Sequence, residues 1–230
     1  MNQEIDNIES NGKVDLFSNG FRKRPERILV DYSSGRTKSG KPLGVRIWRP
    51  WELTKLISAI PKTQHQIMFN ALLYTGGRYV EVDSIKDAEE IVYDGNSISL
   101  TPDFISKKPK CKVSYRTIRL NQFGRRAVEQ YFKLKLKSKD KTFKYLPDHN
   151  TWRENLTRWS IKAKIDPSFV SVKSTRKTWE CYLLYTYPQL RDRIFVSQGH
   201  TELTAMKSYA NFDFSNKDTG DMFGYVAGWC

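Results

Sequence analysis

The stretch GHTELTAMKSYANF, residues 199–212, contains one of the three histidines of the chain and, nine residues after it, a tyrosine. On its own, the pair His200 and Tyr209 is more typical of a helix start with an aromatic residue on its buried side than of a catalytic site. Its meaning depends on which other chemical groups the sequence provides, and on the order in which they follow one another.

Positive charge is concentrated in one part of the chain. The 230 residues carry a net charge of +14, and the segment Ile105 to Tyr145 contains fourteen Lys and Arg against two acidic residues. Such a patch repels itself unless it binds a polyanion, and the backbone of DNA or RNA is the commonest partner of this kind. The alternative at this point is a solvated, lysine-rich face with no ligand.

Several classes of protein are disfavoured by the composition. The N-terminus MNQEIDNIES is acidic rather than secretory, and no apolar run is long enough to span a bilayer. The three cysteines are far apart, which indicates neither a disulfide framework nor a zinc site. We therefore expect a cytoplasmic protein that needs no metal or other cofactor and does not bind a membrane.

The hydrophobic pattern predicts an N-terminal arm followed by one compact domain. Residues 1–43 are polar and are interpreted as an arm or linker, and residues 44–230 as the domain with its C-terminal tail. Apolar spacing predicts helices at about 51–60, 65–74, 121–138, 151–162, 173–186, 189–196 and 202–210. Short strands are predicted in IVYDGNSISL (91–100), FISKK (104–108) and SYRTIRL (114–120). The predicted fold is mainly α with a small antiparallel β-sheet, an α+β domain.

Two further motifs precede the histidine and tyrosine. TGGRYVE (75–81) places Arg78 directly after a glycine pair that ends a helix. KSTR (173–176) places Lys173 and Arg176 three residues apart, on one face of a predicted helix. Each motif alone is typical of a solvated surface, but together they give the order Arg, Lys, Lys-x-x-Arg, His, Tyr.

This order resembles the catalytic domain of the tyrosine recombinases, the phage-type integrases and Xer-like resolvases, over about residues 48 to 212. The first box of that family, T-G-x-R-x-x-E, is matched by Thr75, Gly76, Arg78 and Glu81. The second, H-x-x-R, is matched by Arg176 with Lys173 at the histidine position, a variation found in some archaeal and viral members. The third, L-G-H with a tyrosine nine residues later, is matched by Gly199, His200 and Tyr209, with Gln198 in place of Leu.

The resemblance implies metal-free phosphoryl transfer on double-stranded DNA. Tyr209 would attack phosphorus and form a covalent 3′-phosphotyrosyl intermediate, which conserves the energy of the broken bond for rejoining. Arg78 and Arg176 would stabilise the phosphate oxygens bidentately, and His200 would bind the phosphate or accept the proton of the nucleophile. The family also has a hairpin lysine that acts as general acid; Lys107 fits best, then Lys108, and Lys110 remains open.

The chain departs from the family pattern in two respects. Lysine is a cationic donor rather than an acid–base group near neutral pH, so Lys173 is interpreted as an additional phosphate clamp. The helical core-binding domain that usually precedes the catalytic domain has no counterpart in residues 1–43. The chain is therefore either a catalytic-domain fragment or a compact recombinase. In the second case its arm, FRKRPER (21–27), would bind less of the DNA than a core-binding domain does.

The C-terminal tail GDMFGYVAGWC (220–230) has two interpretations of equal weight. Its residues Met222, Phe223, Tyr225 and Trp229 either fold back on their own core or dock on a neighbouring protomer. The second interpretation follows from the resemblance, which implies a homotetramer assembled on DNA.

The function expected from the sequence is a site-specific DNA recombinase of the prokaryotic cytoplasm or nucleoid, with a virus or plasmid as a possible source. The alternatives are a type IB topoisomerase-like relaxer and a non-catalytic DNA-binding accessory protein on the same scaffold. RNA binding is disfavoured because no RNP-type aromatic motif is present. Helix 121–138 and the segment 152–162 are the expected groove contacts with DNA.

Overall fold

A computed structural model describes residues 27–32, 39, 44–83, 92–93, 95–100, 116–137, 147–199 and 212–230 of the chain. Four of the predicted site residues, Lys107, Lys108, His200 and Tyr209, lie outside these residues, as do the predicted strand 104–108 and helix 202–210. Arg78, Lys173 and Arg176 lie within them.

The described part of the chain contains eight α-helices. They are α1 (Pro50–Ala59), α2 (Thr63–Thr75), α3 (Tyr79–Asp83), α4 (Gln122–Lys137), α5 (His149–Lys162), α6 (Ser174–Thr186), α7 (Arg191–Gln198) and α8 (Asn216–Val226), and a 3₁₀ turn at Pro188–Leu190 precedes α7. Proline in the first turn starts α1, because its fixed φ suits a helix and its missing N–H is not needed there. Gly76, with φ of 57°, ends α2 in the left-handed region that glycine adopts without steric cost.

Within the described residues, five short strands form two antiparallel sheets. β1 (Leu29–Asp31) pairs with β2 (Val45–Ile47), with Leu29 opposite Ile47. β3 (Val92–Tyr93), β4 (Ser97–Leu100) and β5 (Arg116–Arg119) form the second sheet in that order. The predicted mainly α fold with a small antiparallel sheet is confirmed, and the β1–β2 pair is an addition that the sequence pattern did not indicate.

Helix α6 lies at the centre of the domain. All ten residues from Ser174 to Leu183 are buried, and the helix contacts α2, α7, α8 and β2. Two hydrogen bonds join it to the start of α1: the Tyr182 hydroxyl donates to the Trp48 carbonyl at 2.8 Å, and the Trp48 amide donates to Thr178 Oγ1 at 3.1 Å. Arg176 of the second sequence box therefore lies on a helix whose first ten residues are buried in the core.

Several charged side chains of the interior are paired. Arg46 contacts Glu52 at 2.5 Å, and Lys177 Nζ lies 3.2 Å from Asp31 on β1. Isolated buried charges are costly, so each partner depends on the other. The contact between Asp31 and Lys177 shows that part of the predicted arm, β1, packs on the domain. The boundary between residues 43 and 44 itself stays a prediction.

The C-terminal residues form α8 and pack largely on the chain's own core. Met222, Val226 and Trp229 are buried, and the Trp229 indole N–H donates to the Arg119 carbonyl at 3.1 Å. Phe223 points to solvent with 56% of its surface exposed. Met222 and Trp229 therefore fold back on the core of their own chain, which was the first of the two interpretations of the tail. Phe223 does not fold back on this core.

Candidate active site

The first sequence box lies at the C-terminal end of α2. The Thr75 hydroxyl donates to the Ala71 carbonyl at 2.6 Å and accepts a hydrogen bond from the Gly77 amide at 3.0 Å. One threonine thus binds the carbonyl one turn earlier in α2 and the amide that follows the helix. The chain leaves α2 in a fixed direction, two residues before Arg78.

Arg78 is oriented by Glu81. Glu81 accepts the Arg78 backbone N–H and its guanidinium Nη1, both at 2.7 Å. The carboxylate is buried, whereas the Arg78 side chain is 45% exposed. A charge-assisted hydrogen bond of this length restricts the arginine more than a solvated pair would. The Arg78 guanidinium is therefore accessible to a ligand and is oriented by the buried Glu81 carboxylate.

Arg176 connects the first and third boxes. Its Nη1 donates to the Gly76 carbonyl at 2.7 Å, and its Nη2 donates to the Gln198 carbonyl. Only 5% of the residue is exposed. The sequence analysis expected this guanidinium to grip phosphate; in the structure it binds two backbone carbonyls, separated from it by 100 and 22 residues. An arginine has five N–H donors, so these two bonds are compatible with a further bond to phosphate.

The same three segments meet in van der Waals contact. A Cβ added to Gly76 would lie 2.4 Å from Gln198 Oε1 and 2.8 Å from Trp179 Cδ1. Since real Cβ atoms do not approach so closely, only glycine fits here, and its φ of 57° favours glycine as well. The end of α2, the middle of α6 and the end of α7 are packed around this one glycine.

Lys173 occupies the N-cap of α6 and is exposed. Its amide donates to Ser171 Oγ at 3.2 Å, which fixes the backbone just before the helix. Lys173 has helical backbone angles, with φ of −84° and ψ of −12°, but the two residues differ in burial: Lys173 is exposed and Arg176 is buried. Lys173 thus adds positive charge at a helix N-terminus, where the helix dipole also favours an anion.

The residues that flank His200 and Tyr209 are described on both sides. Gly199 ends α7 in the left-handed conformation, with φ of 60°. Beyond the segment, the Phe212 carbonyl accepts a hydrogen bond from the Tyr185 hydroxyl at 2.8 Å. The distances from Tyr209, His200, Lys107 and Lys108 to the arginines lie outside the described residues, so the roles predicted for them stay predictions.

Three residues at this site were missed or given no role by the sequence analysis. Glu81 was matched in the first box without a function, Gln198 was noted only as a departure from leucine, and Tyr185 was not singled out. The E of T-G-x-R-x-x-E was the one available signal for Glu81. The contacts of Gln198 and Tyr185 depend on long-range packing, which no local pattern encodes.

An open groove of about 430 Å³ lies near the second box. It is lined by Arg153, Glu154, Thr157, Arg158 and Val170, and Val170 precedes Lys173 by three residues. Arg158 is paired with Glu154 at 3.3 Å on the surface. The groove is polar and belongs to the segment that was expected to contact DNA.

Two kinds of feature are absent from the described residues. No group of three or more His, Cys, Asp and Glu side chains in that part of the chain is arranged to hold a metal ion. None of the helices described there is both long and apolar enough to cross a bilayer.

Comparison with solved structures identifies the architecture. The chain is similar to XerA recombinase, with a TM-score of 0.56 and 18% identity over 79% of this chain and 65% of that one. It is also similar to the Tn1549 transposon integrase in complex with circular intermediate DNA, with a TM-score of 0.53 and 16% identity over 79% of this chain and 67% of that one. The fold is that of the tyrosine recombinase catalytic domain.

A third solved structure with this fold is XerH site-specific recombinase bound to its difH substrate. The TM-score is 0.53 and the identity 13%, over 77% of this chain and 56% of that one. No protein-family profile matches the chain, and a comparison with curated protein sequences finds no significant match. The chain spans between about half and two thirds of the length of these recombinases. At such identities the likeness concerns the fold alone.

Proposed function

We propose that the protein is a site-specific DNA recombinase that cuts and rejoins DNA through a covalent 3′-phosphotyrosyl bond to Tyr209. The attack of the Tyr209 hydroxyl on phosphorus would break the bond to the 5′-oxygen. The leaving oxygen would take a proton from a hairpin lysine, and the reverse attack by a 5′-hydroxyl of another strand would release the tyrosine. No high-energy nucleotide is consumed, because the phosphotyrosyl ester conserves the bond energy.

The observation that supports this proposal most is the double hydrogen bond of Arg176. Arg176 of the second box binds the Gly76 carbonyl of the first box, 100 residues away, and the Gln198 carbonyl of the third box, 22 residues away. Three motifs that happened to match would have no reason to share one guanidinium. Their convergence on a recombinase fold supports the proposal of a single site.

Within this site Arg78 would be the main phosphate ligand. Its guanidinium is exposed and already oriented by Glu81, so little reorganisation would be needed to stabilise the charge of the transition state. Arg176 would fix the backbone at Gly76 and Gln198 and would donate a further hydrogen bond to the phosphate. His200 would contact the phosphate or the nucleophile, and Lys107, or failing that Lys108, would be the general acid.

Lys173 would act as an additional phosphate clamp. It is exposed at the N-terminus of α6, so charge and helix dipole favour an anion at the same place. The same residue favours the alternative of a non-catalytic DNA-binding protein, because lysine does not supply the acid–base chemistry of histidine. The two functions differ in whether a covalent complex forms.

The partners would be double-stranded DNA and three further copies of the chain, assembled as a tetramer on two duplexes. The net charge of +14 favours DNA, and the XerH and Tn1549 integrase structures contain DNA. The compartment would be the cytoplasm or nucleoid of a prokaryote.

A nicked suicide substrate tests the proposal. Duplexes bound by the protein would first be selected from a random-sequence library and then nicked near the selected sequence, so that the cleaved strand is lost by diffusion. A recombinase gives a covalent protein–DNA band on a denaturing gel at one position, and Tyr209→Phe abolishes it. Binding without a band would indicate the accessory protein, and cleavage at many positions with relaxation of supercoiled plasmid would indicate the topoisomerase.

A further inference from the structure

Helix α6 holds the chain on both sides of the segment that contains His200 and Tyr209. Near its N-terminus, Arg176 donates to the carbonyl of Gln198, two residues before His200. Near its C-terminus, Tyr185 donates to the carbonyl of Phe212, three residues after Tyr209. The two donors are nine residues apart, which corresponds to about 13 Å along a helix at 1.5 Å per residue.

The downstream contact is reinforced by packing. The Tyr185 ring meets the Phe214 ring edge-on with centroids 4.7 Å apart. Arg49, at the N-cap of α1, donates to the Asp213 carbonyl at 3.2 Å and forms an ion pair with Asp218 at 2.5 Å. Residues 212–218 are thereby tied to both α6 and α1.

The Tyr185 hydroxyl is suited to a permanent role as donor. Burial, followed by the neighbouring Cys181, raises its pKa above the ordinary value for tyrosine. The hydroxyl therefore keeps its proton at any pH near neutrality, and the hydrogen bond to Phe212 persists over that range.

We propose that Tyr185 is a positioning residue for the nucleophile, which it places by fixing the backbone three residues after Tyr209. This inference rests on the proposed function. A hydroxyl that must approach phosphorus in line tolerates little displacement, and an error of about 1 Å can cost about 100-fold in rate. Tyr185 contacts neither DNA nor the reacting atoms in this scheme; it acts through the backbone at Phe212.

Tyr185→Phe is the matched test, because it removes the hydroxyl and keeps the ring that packs on Phe214. Tyr225→Phe is the control: it removes a tyrosine hydroxyl that contacts Thr54 Oγ1 of α1 at 2.7 Å and not the Phe212 carbonyl. Both variants are to be compared with the unaltered protein for melting temperature, DNA affinity and the single-turnover rate of covalent complex formation at saturating suicide substrate.

We expect Tyr185→Phe to slow covalent complex formation about 10- to 100-fold, with DNA affinity and melting temperature close to those of Tyr225→Phe. We also expect faster amide exchange confined to peptides from residues 199–214. A purely structural role would instead lower the melting temperature and DNA affinity together with the rate. A Tyr185→Phe rate equal to that of the control overturns the inference alone, whereas an unaltered protein that forms no covalent complex overturns the proposed function and this inference with it.

Discussion

At the scale of single residues, the site depends on one buried carboxylate. Glu81 accepts two hydrogen bonds from Arg78, one from its backbone and one from its guanidinium, and is itself only 1% exposed. Without the negative charge, the arginine would keep its place in the chain but lose the partner that directs it. Preorganisation of a charged donor is the largest single contribution to many catalysed phosphoryl transfers.

The substitution Glu81→Gln is therefore expected to lower the rate of covalent complex formation about 10- to 100-fold. This loss is smaller than the roughly 100- to 1,000-fold loss that follows removal of a whole hydrogen-bond donor. Asp192→Asn is the matched control, because Asp192 also pairs with an arginine, Arg191, but lies on the surface. Surface pairs of this kind contribute little, so the control should behave like the unaltered protein. Equal rates for the two variants would refute the role of Glu81.

Two glycines provide a second comparison between sites. Gly76→Ala places a methyl group 2.4 Å from Gln198 Oε1 in a left-handed backbone conformation, whereas Gly220→Ala places one in open space within α8. We expect the first to lower the free energy of unfolding by about 2 kcal/mol and the second to raise it by about 0.5–1 kcal/mol. Urea unfolding measures both, and a Gly76→Ala protein as stable as the unaltered one would contradict the packing described here.

At the scale of elements, the contact between α2 and α5 contains a titratable group. The His65 ring lies 5.9 Å from Trp152 and 5.5 Å from Trp159 between ring centroids. Burial, followed by the charge of Lys62, lowers the pKa of His65 below the ordinary value of 6.5. The unfolded chain then binds a proton at a higher pH than the folded chain does.

It follows that the contribution of neutral His65 to stability is complete above pH 6.5 and is lost progressively as the pH falls from there towards the lowered pKa. We expect the difference in melting temperature between pH 7.5 and pH 5 to be smaller in His65→Gln than in the unaltered protein. Identical pH profiles for the two proteins would show that His65 is not held neutral.

The limits of the helices show which elements could be predicted from the sequence. Helices α1, α2 and α6 were predicted within about two residues, because apolar periodicity, Pro61 and the Gly76–Gly77 pair mark their limits locally. Helix α8 was missed, since Gly220 and Gly224 make its sequence a poor helix former; its buried face and the capping box of Ser215 and Asp218 stabilise it.

Features that depend on long-range contacts could not be predicted from the sequence either. Strands β1 and β2 have three residues each and exist because they pair with one another and cover Cys181 and Phe195. The positions of Arg78 and Arg176 in motifs could be predicted from the sequence. The bonds from Arg176 to the Gly76 and Gln198 carbonyls could not, since they depend on how distant segments pack.

At the scale of the whole molecule, the proposed function implies that charge would govern the encounter with DNA. A protein with a net charge of +14 that contacts several phosphates releases counterions on binding, so its affinity falls steeply with salt. The slope of log K against log salt is expected to lose about 0.9 for each phosphate contact removed.

Arg153 lines the groove beside the second box, and we expect Arg153→Gln to reduce that slope by about one unit. Fluorescence anisotropy with a selected duplex between about 50 and 200 mM salt measures the change. Affinity that does not depend on salt would be incompatible with a backbone-binding surface, and an unchanged slope would exclude Arg153 from it.

The central claim, that Tyr209 becomes covalently joined to DNA, is tested most directly by mass spectrometry of the trapped complex. After nuclease and protease digestion, the account predicts a peptide that contains Tyr209 and carries a nucleotide through a phosphotyrosyl bond. No such peptide should be recovered from Tyr209→Phe. A nucleotide attached to another residue, or none attached in a protein that binds the duplex, would contradict the account.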